Sequence, residues 1–509
     1  MSSSKKIFSG IVWSSLGNII SALYGFFSVP ILLFHFGKQQ YGLIGLALSV
    51  NVYLKLMDMG FSSGNVKFFS QFLVKNDFVK LNKLFQSSLV FYGVVGIING
   101  IILAIISYFA KSIFSLSDAD ANILQHMFYV LIISAFFGWI SSLLDQFLRA
   151  NEIIGWEQRL MIFSRLLQVL ILFLTIKYNF NVKLFFMLTT FSSLIIIPFS
   201  VLKINSLGYK ISYLPRYYND VFKQILPYCL SIFSFGIFQF SAVYLRPIIL
   251  SLRAGVAFVA DYRILEGFAS VILLLGSSFT AVILPSASKA KALGDTDKIN
   301  KIAYDGTKYI TIFLSFFVFG FILISSDLLT LYVGKGYSYL LIWLVIWILT
   351  LLAAHTSALS SLVLSEAKLR PIVIMSAFSS ILSLGIAWFL TPIYKVGGVV
   401  FGYLFYNIFQ MLFYYTYYYS KVMKLNSSRI FLKSFLFPSS FIAAVTVLLF
   451  YTLPMLNHVS KAYLRIGISC LVYGVVLIPS VIFLLLNKND RDFVIGVLKF
   501  KKRNSINSL

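Results

Sequence analysis

The sequence predicts an all-α, polytopic integral membrane protein of about fourteen transmembrane helices, and three observations predict it. Apolar residues fill 59% of the 509 positions and charged ones only 12%, which excludes a soluble globular chain. Runs of about 20 apolar residues, the length that crosses a hydrocarbon core, recur from end to end. The density of Lys and Arg alternates between successive connections, as it does when alternate loops face opposite sides of a membrane.

The candidate spans are 8–34, 41–61, 84–109, 123–147, 160–178, 182–202, 224–250, 257–284, 305–331, 338–364, 371–393, 397–419, 434–456 and 463–486, with twelve or thirteen as alternative counts. With a cytoplasmic N-terminus, 29 of the 42 Lys and Arg fall on inner segments and 9 on outer ones. The remaining four, Lys55, Arg165, Arg246 and Arg263, lie inside spans. This bias predicts that both termini are cytoplasmic. It also makes the net charge of +25 topological, so nucleic acid is not an expected partner. Cys229 and Cys470 both fall in apolar spans, and neither a disulfide framework nor a zinc site follows from them.

Taken in order, residues 1–61 form a helical hairpin around the outer turn 36–42, and Pro30 is expected to kink the first span. Lys55 and Asp58 stand three apart on one helix face. Residues 61–83 carry Lys67, Lys75, Lys80 and Lys83 and pattern as an amphipathic helix at the inner surface. Spans three to six complete a first lobe, 1–203, and the loop 204–223 forms a cytoplasmic linker. A second six-helix lobe, 224–420, repeats the first in parallel orientation. Pro30-Ile31-Leu32-Leu33 before Gly37 is echoed by Pro247-Ile248-Ile249-Leu250 before Gly255, and Lys80-Leu81-Asn82-Lys83-Leu84 by Lys298-Ile299-Asn300-Lys301-Ile302. Two extra helices (421–487) and a basic cytoplasmic tail (488–509) follow; in the tail, Lys499 to Arg503 marks an inner-leaflet anchor.

The stretch 237–270 holds Arg246, Asp261, Arg263 and Glu266 within or beside apolar sequence. An ionised side chain at a helix centre costs roughly 2.5–3.5 kcal/mol on insertion scales, so such groups face one another or water. A wet, charged cavity is therefore expected. No phosphate-binding loop, metal-ligand spacing or soluble catalytic domain is present in the sequence, which points away from an enzyme.

Asp58-Met59-Gly60-Phe61-Ser62-Ser63-Gly64-Asn65-Val66-Lys67 resembles the end of the second span in bacterial polysaccharide flippases of the Wzx type. Their superfamily also holds multidrug antiporters and lipid II flippases. Gly37 with Tyr41-Gly42, and Gly255 with Tyr262, fit the outer turns of the two lobes. Arg246 departs from the pattern, standing where many members carry an acidic residue, and this puts a cation-binding role there in doubt. The resemblance implies flipping of undecaprenyl-pyrophosphate-linked oligosaccharide, such as an O-antigen or other surface polysaccharide unit, across the bacterial inner membrane. Partners implied are the polyprenyl-linked glycan, membrane lipids, a polysaccharide polymerase and a chain-length regulator. Alternatives are a multidrug cation antiporter, a lipid II flippase or a membrane-embedded glycan polymerase or ligase.

Arg246, Arg263, Lys55 and Arg165 are the candidate ligands for pyrophosphate, because guanidinium forks and ammonium groups match phosphate oxygens. Snorkelling to the membrane surface is the alternative for Arg246 and Lys55. Asp261, Glu266, Asp58 and His355 are candidates for charge pairing or for coupling to H+ or Na+. The tyrosine-rich run 413–419 is expected to sit at headgroup level.

Overall fold

The computed structural model describes residues 3–273, 293–364, 370–452, 461–487 and 490–492, and every regular element among them is helical. In chain order the helices are α1 (Ser3–Leu54), α2 (Phe61–Val74), α3 (Phe78–Tyr108), α4 (Asp118–Ala150), α5 (Ile154–Tyr178), α6 (Val182–Asn205), α7 (Asn219–Tyr244), α8 (Arg246–Ala254) and α9 (257–273). They continue as α10 (Thr307–Val333), α11 (Lys335–Ser360), α12 (Arg370–Tyr394), α13 (Val396–Phe413), α14 (Ser427–Thr452) and α15 (Ala462–Leu485). Among the described residues eleven helices are long and apolar enough to cross a membrane, or twelve when a bent pair at 219–254 counts as one span. The chain is a multi-pass membrane protein.

Two of the fourteen expected spans, 8–34 and 41–61, run together in α1, whose interruption is Gly37 at φ 78° and ψ 167°. Glycine holds that conformation without a Cβ penalty, so the break falls there, seven residues after Pro30. The span 257–284 is described only to residue 273, and the basic run 499–503 lies outside the described residues.

The chain divides into two compact units: Met1–Leu274 with Lys368–Gln410, and Leu275–Ala367 with Met411–Leu509. In the first unit α3 lies along α4, α1 along α5, and α12 along α7 and α8. Helix α2 differs from expectation. Its Phe61, Phe68, Phe69 and Phe72 join a core with Phe85, Phe147 and Cys229, so its apolar face packs on α4 and α7. Within a bilayer, close backbone approach and interhelical hydrogen bonds replace hydrophobic burial as the cohesive forces. Gly402 of α13 illustrates both: its carbonyl accepts from Ser383 Oγ of α12 at 2.7 Å, and a Cβ would stand 2.7 Å from the Ser383 carbonyl.

In the second unit α10 packs on α14 and α15 around Ile312, Ile442, Tyr473 and Leu477. Arg465 holds Asp327 with both arms of its fork, Nη2 at 2.5 Å and Nε at 3.0 Å.

The sequence repeat has local backbone counterparts. Gly255 (φ 106°, ψ 158°) breaks its helix much as Gly37 does. Asp77 and Asp295 each cap a helix by accepting the backbone N–H three residues on, at 3.0 and 2.9 Å. Asn179 and Lys395 each end a helix at φ 53°.

Candidate functional site

Helix α1 gives way to a tight turn over Lys55–Asp58, then Met59 (φ 48°) and Gly60 (φ 79°) reverse the winding before α2 begins. At Gly60 a side chain would strike the Cys229 carbonyl of α7, so glycine is required by space as well as by φ. The break aims Lys55 and Asp58 into a cavity of about 1230 Å³ within the first unit. Its walls come from α1, α4, α5, α6, α7 and α9, with α2 contributing Ser62 and Ser63 and α3 contributing Asn99. Interrupted backbone at membrane depth is tolerated where it lines such a space.

Among the described residues five charged ones line this cavity: Lys55, Arg165 and Arg263 against Asp58 and Glu266. Both carboxylates are taken. Asp58 accepts from the Ser62 amide at 3.1 Å and the Tyr92 hydroxyl at 2.7 Å. Glu266 pairs with Arg263 Nη1 at 2.5 Å. Arg263 is itself occupied, its Nη2 donating to the Gly45 carbonyl at 3.0 Å and Ser49 Oγ at 2.9 Å, so it ties α9 to α1. Lys55 and Arg165 have no acidic partner among the described residues. Arg165 donates one N–H to Gln168 Oε1 at 2.7 Å and lies 5.7 Å from the Tyr24 ring centre. Each keeps donors for an anion.

The other candidates sit elsewhere. Arg246 is buried and is not among the lining residues; its guanidinium lies 3.9 Å from the centre of the Tyr403 ring, with Nε and Nη2 lacking hydrogen-bond partners. Asp261, fully buried, pairs with Lys38 of the 36–42 turn at 2.8 Å. His355, in the second unit, is fully buried; Nδ1 lies 2.7 Å from the Leu352 carbonyl and Nε2 2.7 Å from the Tyr415 hydroxyl. Phe435 stacks on it at 3.9 Å. Tyr415, Tyr418 and Tyr419 are buried in that unit, where a headgroup belt was expected.

Sequence reasoning passed over the wall behind Asp58. Tyr92 Oη accepts from Gln146 Nε2 (2.8 Å), Gln146 Oε1 accepts from Asn65 Nδ2 (2.9 Å), and Asn65 Oδ1 accepts from Ser88 Oγ (3.0 Å). This buried chain fixes the carboxylate that faces the cavity. Isolated amides in apolar spans were the available signal, since each demands a partner inside the membrane.

No protein-family model matches this chain, and no curated protein matches it. Solved structures do. The lipid II flippase MurJ in an inward closed conformation superposes with a TM-score of 0.68 at 15% identity, covering 93% of this chain and 98% of that one. The MATE multidrug transporter DinF-BH gives 0.58 at 15% identity, covering 81% and 95%. An inward-facing multidrug resistance MATE transporter of the MOP superfamily gives 0.56 at 14%, covering 84% and 95%. The chain therefore has the polytopic all-α fold that these proteins share.

Proposed function

We propose that this protein is a transporter, and specifically a flippase that carries an undecaprenyl-pyrophosphate-linked oligosaccharide from the inner to the outer leaflet of the bacterial cytoplasmic membrane. The observation that carries this reading is the cavity's charge inventory: its carboxylates are engaged by protein partners, while Lys55 and Arg165 have no acidic partner among the described residues. A pyrophosphate head fits those two cations, because charge-assisted hydrogen bonds offset the loss of its hydration. The polyprenyl tail stays in the bilayer while two parallel six-helix lobes exchange access to either side. Both termini are cytoplasmic in this reading, and a polymerase with its chain-length regulator receives the cargo outside. Energy comes from an H+ or Na+ gradient, the membrane potential or consumption of the product.

A multidrug antiporter would share the fold. A cationic drug, however, needs a carboxylate free to receive it, and Asp58 and Glu266 are both engaged. The test is a lipid extract from cells lacking the gene. Accumulated polyprenyl-linked units with loss of surface glycan support the proposal, and accumulated lipid II would select that cargo instead. Normal surface glycan with new sensitivity to cationic dyes would refute it.

A further inference from the structure

Among the described residues two side chains of the cavity wall, Ser21 and Asn99, carry a buried oxygen without a hydrogen-bond partner, and Asn99 is the one that can only accept there. It is 1% exposed, it lines the cavity, and its Oδ1 has no hydrogen-bond partner. A buried amide oxygen without a donor costs about 1–3 kcal/mol, so a site that keeps one awaits an occupant.

The same cavity has a small, hydroxylated strip along α4. Ser134, Gly138 and Ser142 of α4 line the same cavity, and a Cβ on Gly138 would meet nothing within 4 Å. Ser142 Oγ accepts from Gln146 Nε2 at 3.0 Å and keeps its own proton to donate. Trp139, 7% exposed, backs this wall and stacks on Tyr92 with ring centres 5.6 Å apart.

We propose that Asn99, Ser142 and the hollow over Gly138 form a sugar subsite, separate from the cationic residues Lys55 and Arg165. The reasoning is one of donors and acceptors, and it rests on the flippase reading above. An ionised pyrophosphate offers only acceptor oxygens and a polyprenyl chain offers neither kind, so neither answers an orphan acceptor. Sugar hydroxyls donate and accept at once. A ring seated over Gly138 gives its protons to Asn99 Oδ1 and takes one from Ser142. Glycan selectivity then sits on α3 and α4, and head-group capture on α1 and α5.

The full chain, purified in detergent, is titrated with two probes: undecaprenyl pyrophosphate lacking sugar, and the glycan-bearing lipid extracted from cells without the gene. Asn99→Leu is expected to weaken the glycan lipid about tenfold and leave the sugar-free lipid within about twofold. Asn99→Asp keeps an acceptor and is expected to retain the glycan lipid, whereas a phosphate-binding Asn99 would lose both lipids in this variant. Gly138→Leu builds into the hollow from a Cβ that meets nothing within 4 Å, so it keeps the proposal testable if Asn99→Leu fails to accumulate; it is expected to exclude only the glycan lipid. Equal binding of both lipids by Asn99→Leu or Gly138→Leu and by the wild type overturns the subsite and leaves the head-group reading intact. Failure of the wild-type chain to bind either probe overturns the flippase reading, and the subsite with it.

Discussion

Arg263 was a cargo ligand by sequence, yet its geometry makes it a fastener, and a double-mutant cycle separates the two roles. Arg263→Met removes a charge-assisted bond to Glu266 and two neutral-acceptor bonds to Gly45 and Ser49 of α1. Hydrogen bonds to charged groups are worth about 1.5–3 kcal/mol, and breaking a buried pair costs more because the partner is stranded. The side chains of Arg263 and Glu266 retain 23% and 35% exposure toward the cavity, so water screens the pair and the lower end applies. The expected loss is about 2–3 kcal/mol in total.

Polytopic proteins commonly unfold irreversibly, so the useful observable is a rate. The half-life of the detergent-solubilised chain at a fixed temperature should shorten about 30- to 150-fold if the contacts are absent from the transition state for unfolding. Adding Glu266→Gln to Arg263→Met should restore about 1 kcal/mol, because the stranded carboxylate is the largest part of the damage. A half-life unchanged by Arg263→Met would refute the fastener assignment. So would additive losses in the double variant.

Other perturbations distinguish the remaining residues. Lys55→Met with Arg165→Met should weaken undecaprenyl pyrophosphate about 10- to 100-fold in a binding titration and leave the unfolding half-life nearly unchanged. Gly60→Ala should cost about 1–3 kcal/mol, from a positive φ and the encounter with the Cys229 carbonyl, seen as reduced membrane abundance. His355→Phe should leave the pH profile of transport unshifted, because the ring's two nitrogens are held by Leu352 and Tyr415; a moved profile would restore the coupling role. Lys461→Ala, at an exposed helix end, should be silent in export and abundance.

The parts of this molecule legible in its sequence are those the membrane enforces on any chain. A backbone in hydrocarbon must satisfy itself, so span positions follow from apolar run length. Some of the echoed positions share special backbone conformations. Gly37 and Gly255 hold non-helical dihedrals, and Asp77 and Asp295 cap helices, in each case 218 positions apart. Helix-face assignment was less legible. The run 413–419 announces tyrosines, but the widened turns of 414–422 determine which of them go inward, and periodicity at 3.6 residues gives no warning of that.

Partner choice was the least legible link, and it decides function. Arg263 and Glu266, three apart on one helix face, do pair, but Asp261, the other acid beside Arg263 in sequence, reaches Lys38, 223 positions away, and Arg263 also holds Gly45 and Ser49. A carbonyl partner such as Gly45 leaves no trace in residue type, since every residue has one. The same holds for Arg246, whose Tyr403 neighbour is one of 30 tyrosines. An intramembrane charge in a sequence therefore locates polar space without saying whether the charge occupies that space or is consumed in building its wall. The distinction comes from counting donors. Arg263 spends N–H donors of both terminal nitrogens on the wall and has its charge matched by Glu266, whereas Arg165 spends one on Gln168 and neither it nor Lys55 has an acidic partner among the described residues. On the flippase reading proposed above, an anionic head entering this cavity meets those two as ligands, and it meets Arg263 as part of the wall.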